Sequence, residues 1–262
     1  MNTSLSKLTA EILNALPQTQ CTRCGYPDCA AYAAAVAQDE AGINQCPPGG
    51  AEGIVRLSRI TQKPIQPLSP DFGVEAPRAV AFVDESWCIG CTLCISACPT
   101  DAIVGSNKRM HTVIEKYCTG CALCLPVCPV DCIHMEDVSA NATGWNAWSA
   151  AQATEARQRY NTRKERQLRE SQAHQLQQEE SARNKLAHLA EHSQITDPAL
   201  LDRKRSLIEA AIARAKERTP GTPQSSEGRC TIHQRQHQVD ACFDRRSKTR
   251  HLNRAWVSGI GL

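Results

Sequence analysis

Residues 85–104, ESWCIGCTLCISACPTDAIV, align without a gap on residues 115–134, EKYCTGCALCLPVCPVDCIH. The copies begin 30 residues apart and agree at ten of twenty positions: one Glu, four Cys, and one each of Gly, Leu, Pro, Asp and Ile. Short β-prone segments flank them, 79–83 and 112–114 ahead of the cysteines, 102–104 and 133–135 behind. Two units of strand, cysteine loop, short helix and strand predict a pseudo-twofold domain over 78–138.

Each copy carries a three-cysteine loop closed by Cys-Pro. The first is Cys88-x2-Cys91-x2-Cys94-x3-Cys98-Pro99 and the second Cys118-x2-Cys121-x2-Cys124-x3-Cys128-Pro129. This is the bacterial two-cluster iron–sulfur run, in which the fourth cysteine serves the other cluster. Carried over by position, one 4Fe–4S cluster takes Cys88, Cys91, Cys94 and Cys128, and the other Cys98, Cys118, Cys121 and Cys124. Gly90 and Gly120 let the backbone bend toward the sulfurs, and Pro99 and Pro129 turn the chain after the crossing ligand. Trp87 and Tyr117 precede each loop, where a ring could shield a cluster from water. Structural zinc pairs two separate knuckles and fits a duplicated triple-cysteine run badly.

Upstream lies a weaker set, Cys21-x2-Cys24-Gly25-Tyr26-Pro27-Asp28-Cys29 and then Cys46 after sixteen residues. Four thiolates suffice for one more 4Fe–4S cluster, with zinc as the alternative by spacing alone. Around them, Leu5, Leu8, Ile12 and Leu16 recur at helical spacing, and 30–37 and 51–60 read as two further helices. Residues 1–62 are thus expected to form a small helical cluster domain. Prolines 64, 67, 70 and 77 mark 63–77 as a stiff linker.

Aromatic residues make up only 4% of the 262, too few for one large core, so bound metal is expected to hold the head together. Thirteen of the fifteen cysteines fall between Cys21 and Cys132. No signal-like run occurs in MNTSLSKLTAEILNAL at the N-terminus, and no stretch has membrane-spanning length. Disulfides are therefore not expected; the cysteines are placed in a reducing cytoplasm. Cys132 replaces Ala102 of the first copy and reads as a small core residue. Cys230 and Cys242 read as non-ligands, and His111 and His134 as ordinary packing.

Residues 1–140 hold nine Lys and Arg against fourteen Asp and Glu, whereas 229–262 hold seven against two. An acidic head with a basic tail argues against reading the overall +3 as a nucleic-acid signature. Residues 139–218 are expected to form a charged helical extension, with one helix starting at Asp197-Pro198 and carrying an apolar face of Leu200, Leu201, Leu207, Ile208 and Ile212. Residues 219–262 are expected to be a disordered basic tail. Every assigned ligand lies at or before Cys128, so a chain ending near residue 140 is expected to keep its clusters.

Gln20-Cys21-x2-Cys24-Gly25-Tyr26-Pro27-x-Cys29, Cys46-x-Pro48-Gly49-Gly50, the two Cys-x-Gly-Cys loops, residues 101–105 (DAIVG) and 110–113 (MHTV) together resemble the B subunit of the Rnf/Rsx electron transport complex. The resemblance covers about residues 8–137. It implies a bacterial multi-cluster protein that passes electrons within a membrane complex coupling ferredoxin and NAD chemistry to ion movement. The family's N-terminal membrane helix has no counterpart in residues 1–16, so peripheral attachment on the cytoplasmic face of the inner membrane is the expectation. The reading is an α+β electron-transfer protein with three 4Fe–4S clusters, redox-protein partners and no catalytic residues of its own. Its alternatives are a free-standing ferredoxin-type carrier and, remotely, a nucleic-acid-associated protein with structural clusters.

Overall fold

The computed structural model describes residues 3–217; the tail expected over 219–262, with Cys230 and Cys242, lies outside the described residues. The described chain mixes helices with two small sheets and divides into two units, one ending at Arg163 and the next starting at Lys164.

The N-terminal part of the first unit is helical. Helices α1 (Thr3–Ala15), α2 (Cys29–Ala37) and α3 (Gly50–Thr61) pack around Ile12, Leu16, Tyr32, Val36, Ile54 and Leu57. The i, i+4 pattern read in α1 puts Ile12 and Leu16 in this core, while Leu5 stays exposed. Tyr32 is buried and donates its hydroxyl to Gly42 O at 2.7 Å, closing the turn after α2. Between α1 and α2 the chain runs irregularly through Cys21 and Cys24. There Gln18, Gln20 and Thr22 take left-handed φ of 60°, 55° and 61°, a conformation costing roughly 1–2 kcal/mol each. Gln20 Oε1 accepts from Cys29 N at 2.9 Å and helps fix that path.

The linker is tied down at Glu75. Its carboxylate accepts from Ala51 N at the start of α3 (2.8 Å) and from Thr143 Oγ1 (2.7 Å), a favourable place for negative charge. Gly50, at φ +58°, leaves room for that carboxylate; a Cβ there would overlap it.

Strands β1 (Ala79–Val83), β2 (Ile103–Val104), β3 (Thr112–Val113) and β4 (Ile133–Asp137) form two antiparallel pairs. β1 lies on β4, with Ala79 opposite Asp137 and Val83 opposite Ile133; β2 lies on β3, with Ile103 opposite Val113. Each pair joins the leading strand of one copy to the trailing strand of the other. The backbone repeats too: Gly90 and Gly120 have φ of 68° and 71°, Thr92 and Ala122 have 64° and 61°, and Asp101 and Asp131 both have 51°. Val80, Val83, Ala102, Ile103 and Ile133 bury between the pairs among the cysteines. The short helix α4 (Leu93–Ala97) lies in the first copy.

Residues 139–163 do not stand apart from this head. Trp148 is buried and donates Nε1–H to Pro17 O at 2.8 Å. It opens α5 (Ala150–Ala187), whose Ala153 and Ala156 bury against the same cluster of residues. Farther along α5, Tyr160 donates to Asp28 Oδ2 (3.0 Å), and Arg163 pairs with Asp101 Oδ1 (2.6 Å) while also donating to Ser96 O. One helical stretch therefore reaches both the α1–α3 part and the strand-bearing part.

The second unit carries the rest of α5, α6 (Leu189–His192) and α7 (Pro198–Glu217). Asp197 caps α7, its Oδ1 accepting from Ala199 N at 2.9 Å. Leu200 and Leu207 on α7 are exposed. Among the described residues no helix is long and apolar enough to cross a membrane.

Candidate metal centres

The thirteen cysteines of the described residues fall into three neighbourhoods. In the first, Cys21 and Cys24 come from the left-handed loop, Cys29 from the first turn of α2, and Cys46 from the residue before a 3₁₀ turn at Pro47–Gly49. Burial pushes the thiol of Cys24 up to about 11 and that of Cys29 up to about 12, and Cys46 still further. Repulsion from Cys21 and Cys24 adds to the rise at Cys29 and Cys46. Asp28, buried between Cys24 and Cys29, caps α2 through Ala31 N at 2.7 Å.

The second neighbourhood is a cavity lined by Cys98, Cys118, Cys121 and Cys124 with Ala81, Thr100, Ala102 and Thr119. Cys98 thus meets the three loop cysteines of the other copy. Backbone N–H groups reach two of these sulfurs, Ala102 N to Cys98 Sγ at 3.2 Å and Ala81 N to Cys118 Sγ at 3.4 Å. Burial pushes the Cys121 thiol up to about 12, with Cys98, Cys118 and Cys21 adding repulsion. Cys21 therefore lies close to this cavity, and Thr119 Oγ1 donates to Thr19 O at 2.9 Å across the same contact.

The third neighbourhood holds Cys88, Cys91 and Cys94, with Cys128 reached through Cys132. Cys91 and Cys88 raise the Cys94 thiol after burial does. Cys132 Sγ lies 3.5 Å from Cys128 Sγ, and its thiol, raised to about 12 by burial first, also feels Cys128 and Cys88. So Cys132 is buried, as a small core residue would be, yet it touches the sulfur of an assigned ligand. His111, buried against Cys94, is the functional candidate that spacing missed, because its partner lies seventeen residues away.

The donor chemistry fits iron–sulfur clusters. The cavity around Cys98 offers four soft sulfurs and no carboxylate or imidazole. Among the described residues no three Cys, His, Asp or Glu converge tightly enough to share a single metal ion. Cubane ligands each meet a different iron and so bracket a cavity rather than a point. The raised thiols hold their protons near neutrality, so metal loading has to release them.

The surroundings of the two repeat loops differ. Tyr117 lies under the Arg159 guanidinium, 3.0 Å from ring centroid to Cζ, whereas Trp87 is exposed, with Ile89 and Leu93 exposed beside it.

Residues 81–135 match the family described as 4Fe-4S dicluster domain, and residues 16–48 match that described as Putative Fe-S cluster. The chain is similar to the B subunit of the ion-translocating oxidoreductase complex of Azoarcus sp. (strain BH72), 62% identical over 130 residues, covering 50% of this chain and 71% of the relative. The same-named proteins of Stutzerimonas stutzeri (56% over 137 residues, 52% and 71% covered) and Serratia proteamaculans (55% over 130 residues, 50% and 68% covered) are similar too. No solved structure gives a significant match. With nearly two thirds identity to a relative covered over most of its length, and with cysteine-lined sites inside both matched segments, the chain belongs to the family of B subunits of ion-translocating oxidoreductase complexes, as an iron–sulfur protein of electron transfer.

Proposed function

We propose that the chain relays single electrons through three 4Fe–4S clusters, as the B subunit of an Rnf/Rsx-type complex linking ferredoxin and NAD. Cys21, Cys24, Cys29 and Cys46 hold one cluster. Cys88, Cys91, Cys94 and Cys128 hold the second, and Cys98, Cys118, Cys121 and Cys124 the third, in a two-cluster ferredoxin domain of pseudo-twofold symmetry. Each cluster, when bound, takes up or gives one electron without a proton-transfer residue, and thiolate ligation and buried N–H donors set its potential.

The observation that carries this reading is the cavity that unites Cys98 with the loop cysteines of the opposite copy. The Thr119–Thr19 hydrogen bond, which brings the segment before Cys21 against the Cys118 loop, supports an order for the relay: the first-domain site, then the Cys98 site, then the Cys88 site at the solvent-facing loop. The partners proposed are redox proteins and the membrane subunits of the complex, with this chain on the cytoplasmic face.

Iron and acid-labile sulfide analysis of the anaerobically reconstituted full chain tests the count. About 12 of each per chain is expected, from four irons per site, with visible absorbance that bleaches on dithionite. A stable preparation with about 8 iron, or with zinc, removes the first-domain cluster from the scheme. Recovery of membrane subunits with the tagged chain from its native host tests the assembly; recovery of soluble reductases alone speaks for a free-standing carrier.

A further inference from the structure

One imidazole is buried against an assigned ligand. His111 is 1% exposed, and its Nδ1 lies 3.3 Å from Cys94 Sγ. Gly105, at φ +151°, makes the space: a Cβ there would overlap the ring. The other ring nitrogen, Nε2, is buried without a hydrogen-bond partner among the described residues. An unpaired buried nitrogen is costly, so ordinary packing does not account for a histidine here. An apolar side chain would fill the same space without that cost.

The repeat supplies the control. One period of 30 residues before His111 stands Ala81, whose side chain is only a methyl group and whose backbone N–H reaches Cys118 Sγ beside the Cys98 cavity. The two halves share their cysteines and their loop dihedrals but not this side chain.

We infer that His111 donates its Nδ1–H to the Cys94 thiolate and thereby raises the redox potential of the Cys88 site above the value that site would have without it. The inference rests on the ligand sets proposed above. A metal-bound thiolate carries no proton, so the imidazole is the donor, with a hydrogen on Nδ1. Reduction adds negative charge that the cluster sulfurs share. A donor aimed at one sulfur stabilises that more negative state more than the oxidised one. The relay's outer site becomes a better electron acceptor than the same site without the imidazole.

The test pairs spectroscopy on the unaltered chain with two variants. Pulsed electron paramagnetic resonance of the reduced, fully loaded chain, with histidine labelled in 15N, is expected to show imidazole coupling to one cluster, lost in His111→Leu. In His111→Leu one of the three midpoints should fall by about tenfold in its one-electron equilibrium, near 59 mV, while His111→Asn, which keeps a donor at that place, stays near the original. Absence of the coupling overturns the inference, as does a fully loaded His111→Leu that titrates like the original chain. If His111→Leu sheds iron instead, the coupling in the unaltered chain decides. Cys94→Ala separates failure of the ligand set from failure of the role of His111: iron should fall from about 12 toward about 8, and unchanged iron refutes the ligand set itself.

Discussion

At Cys88 the chain turns through a loop whose Trp87, Ile89 and Leu93 keep 69%, 56% and 47% of their surface in water. At Cys118, thirty residues later, the matching loop has Tyr117 under Arg159 and Thr119 buried against Thr19. The dihedrals at the paired glycines, at Thr92 and Ala122 and at the two aspartates agree within a few degrees. These matching dihedrals therefore belong to the cysteine motif, and much of the difference comes from what packs on it. The α1–α3 part covers the second loop, and the first turns of α5 link both parts. For a relay, a covered inner loop and an open outer loop give one side for passing electrons within the chain and one for meeting a partner.

The largest effect should come from removing what lies on the covered side. A chain ending at residue 140 loses Trp148, Ala153, Ala156 and Arg163, all buried. Loss of the tryptophan anchor alone should cost about 4 kcal/mol. The visible absorbance of that chain should therefore collapse at distinctly lower urea than that of a chain ending at residue 163. Identical urea profiles would mean that residues 141–163 are bystanders and that the ligands alone hold the head.

A smaller effect separates a buried ion pair from an exposed one. Asp101 meets the buried Arg163 guanidinium, while Asp39 meets Lys63 with 80% of its side chain in water. Arg163→Ala strands a partly buried carboxylate and should destabilise by about 2 kcal/mol, against a few tenths of a kcal/mol for Lys63→Ala. Equal losses would show that the guanidinium gives Asp101 no special footing. Tyr117→Ala should cost more than Trp87→Ala, by about 1 kcal/mol for the Arg159 stacking. Smallest of all is Cys132→Ala: iron content should not change, despite the 3.5 Å approach to Cys128. A fall in iron would make Cys132 a ligand.

Much of this was legible in the residues. The helical spacing of Leu8, Ile12 and Leu16 gives α1, and the β-prone flanks give all four strands within one or two residues. The family was legible because two cysteine patterns and their companion glycines and prolines occur together. The attachment of residues 141–163 was not. It is made by Trp148, by Trp145 under the Arg56 guanidinium, by small alanines and by polar reach from Tyr160 and Arg163, and a search for periodic large apolar residues passes over such a stretch. His111 escaped for a related reason: its partner is distant in sequence and adjacent only after β2 pairs with β3.

Ligand exchange between the copies is the claim on which the rest stands, and iron counting in two multiple variants tests it most directly. One variant replaces Cys88, Cys91, Cys94 and Cys128 with alanine; the other replaces Cys88, Cys91, Cys94 and Cys98. With crossed ligands the first loses one cluster and keeps about 8 iron, while the second damages two and keeps about 4. The reverse order, about 4 in the first and about 8 in the second, would contradict the exchange and show that each copy holds its own cluster.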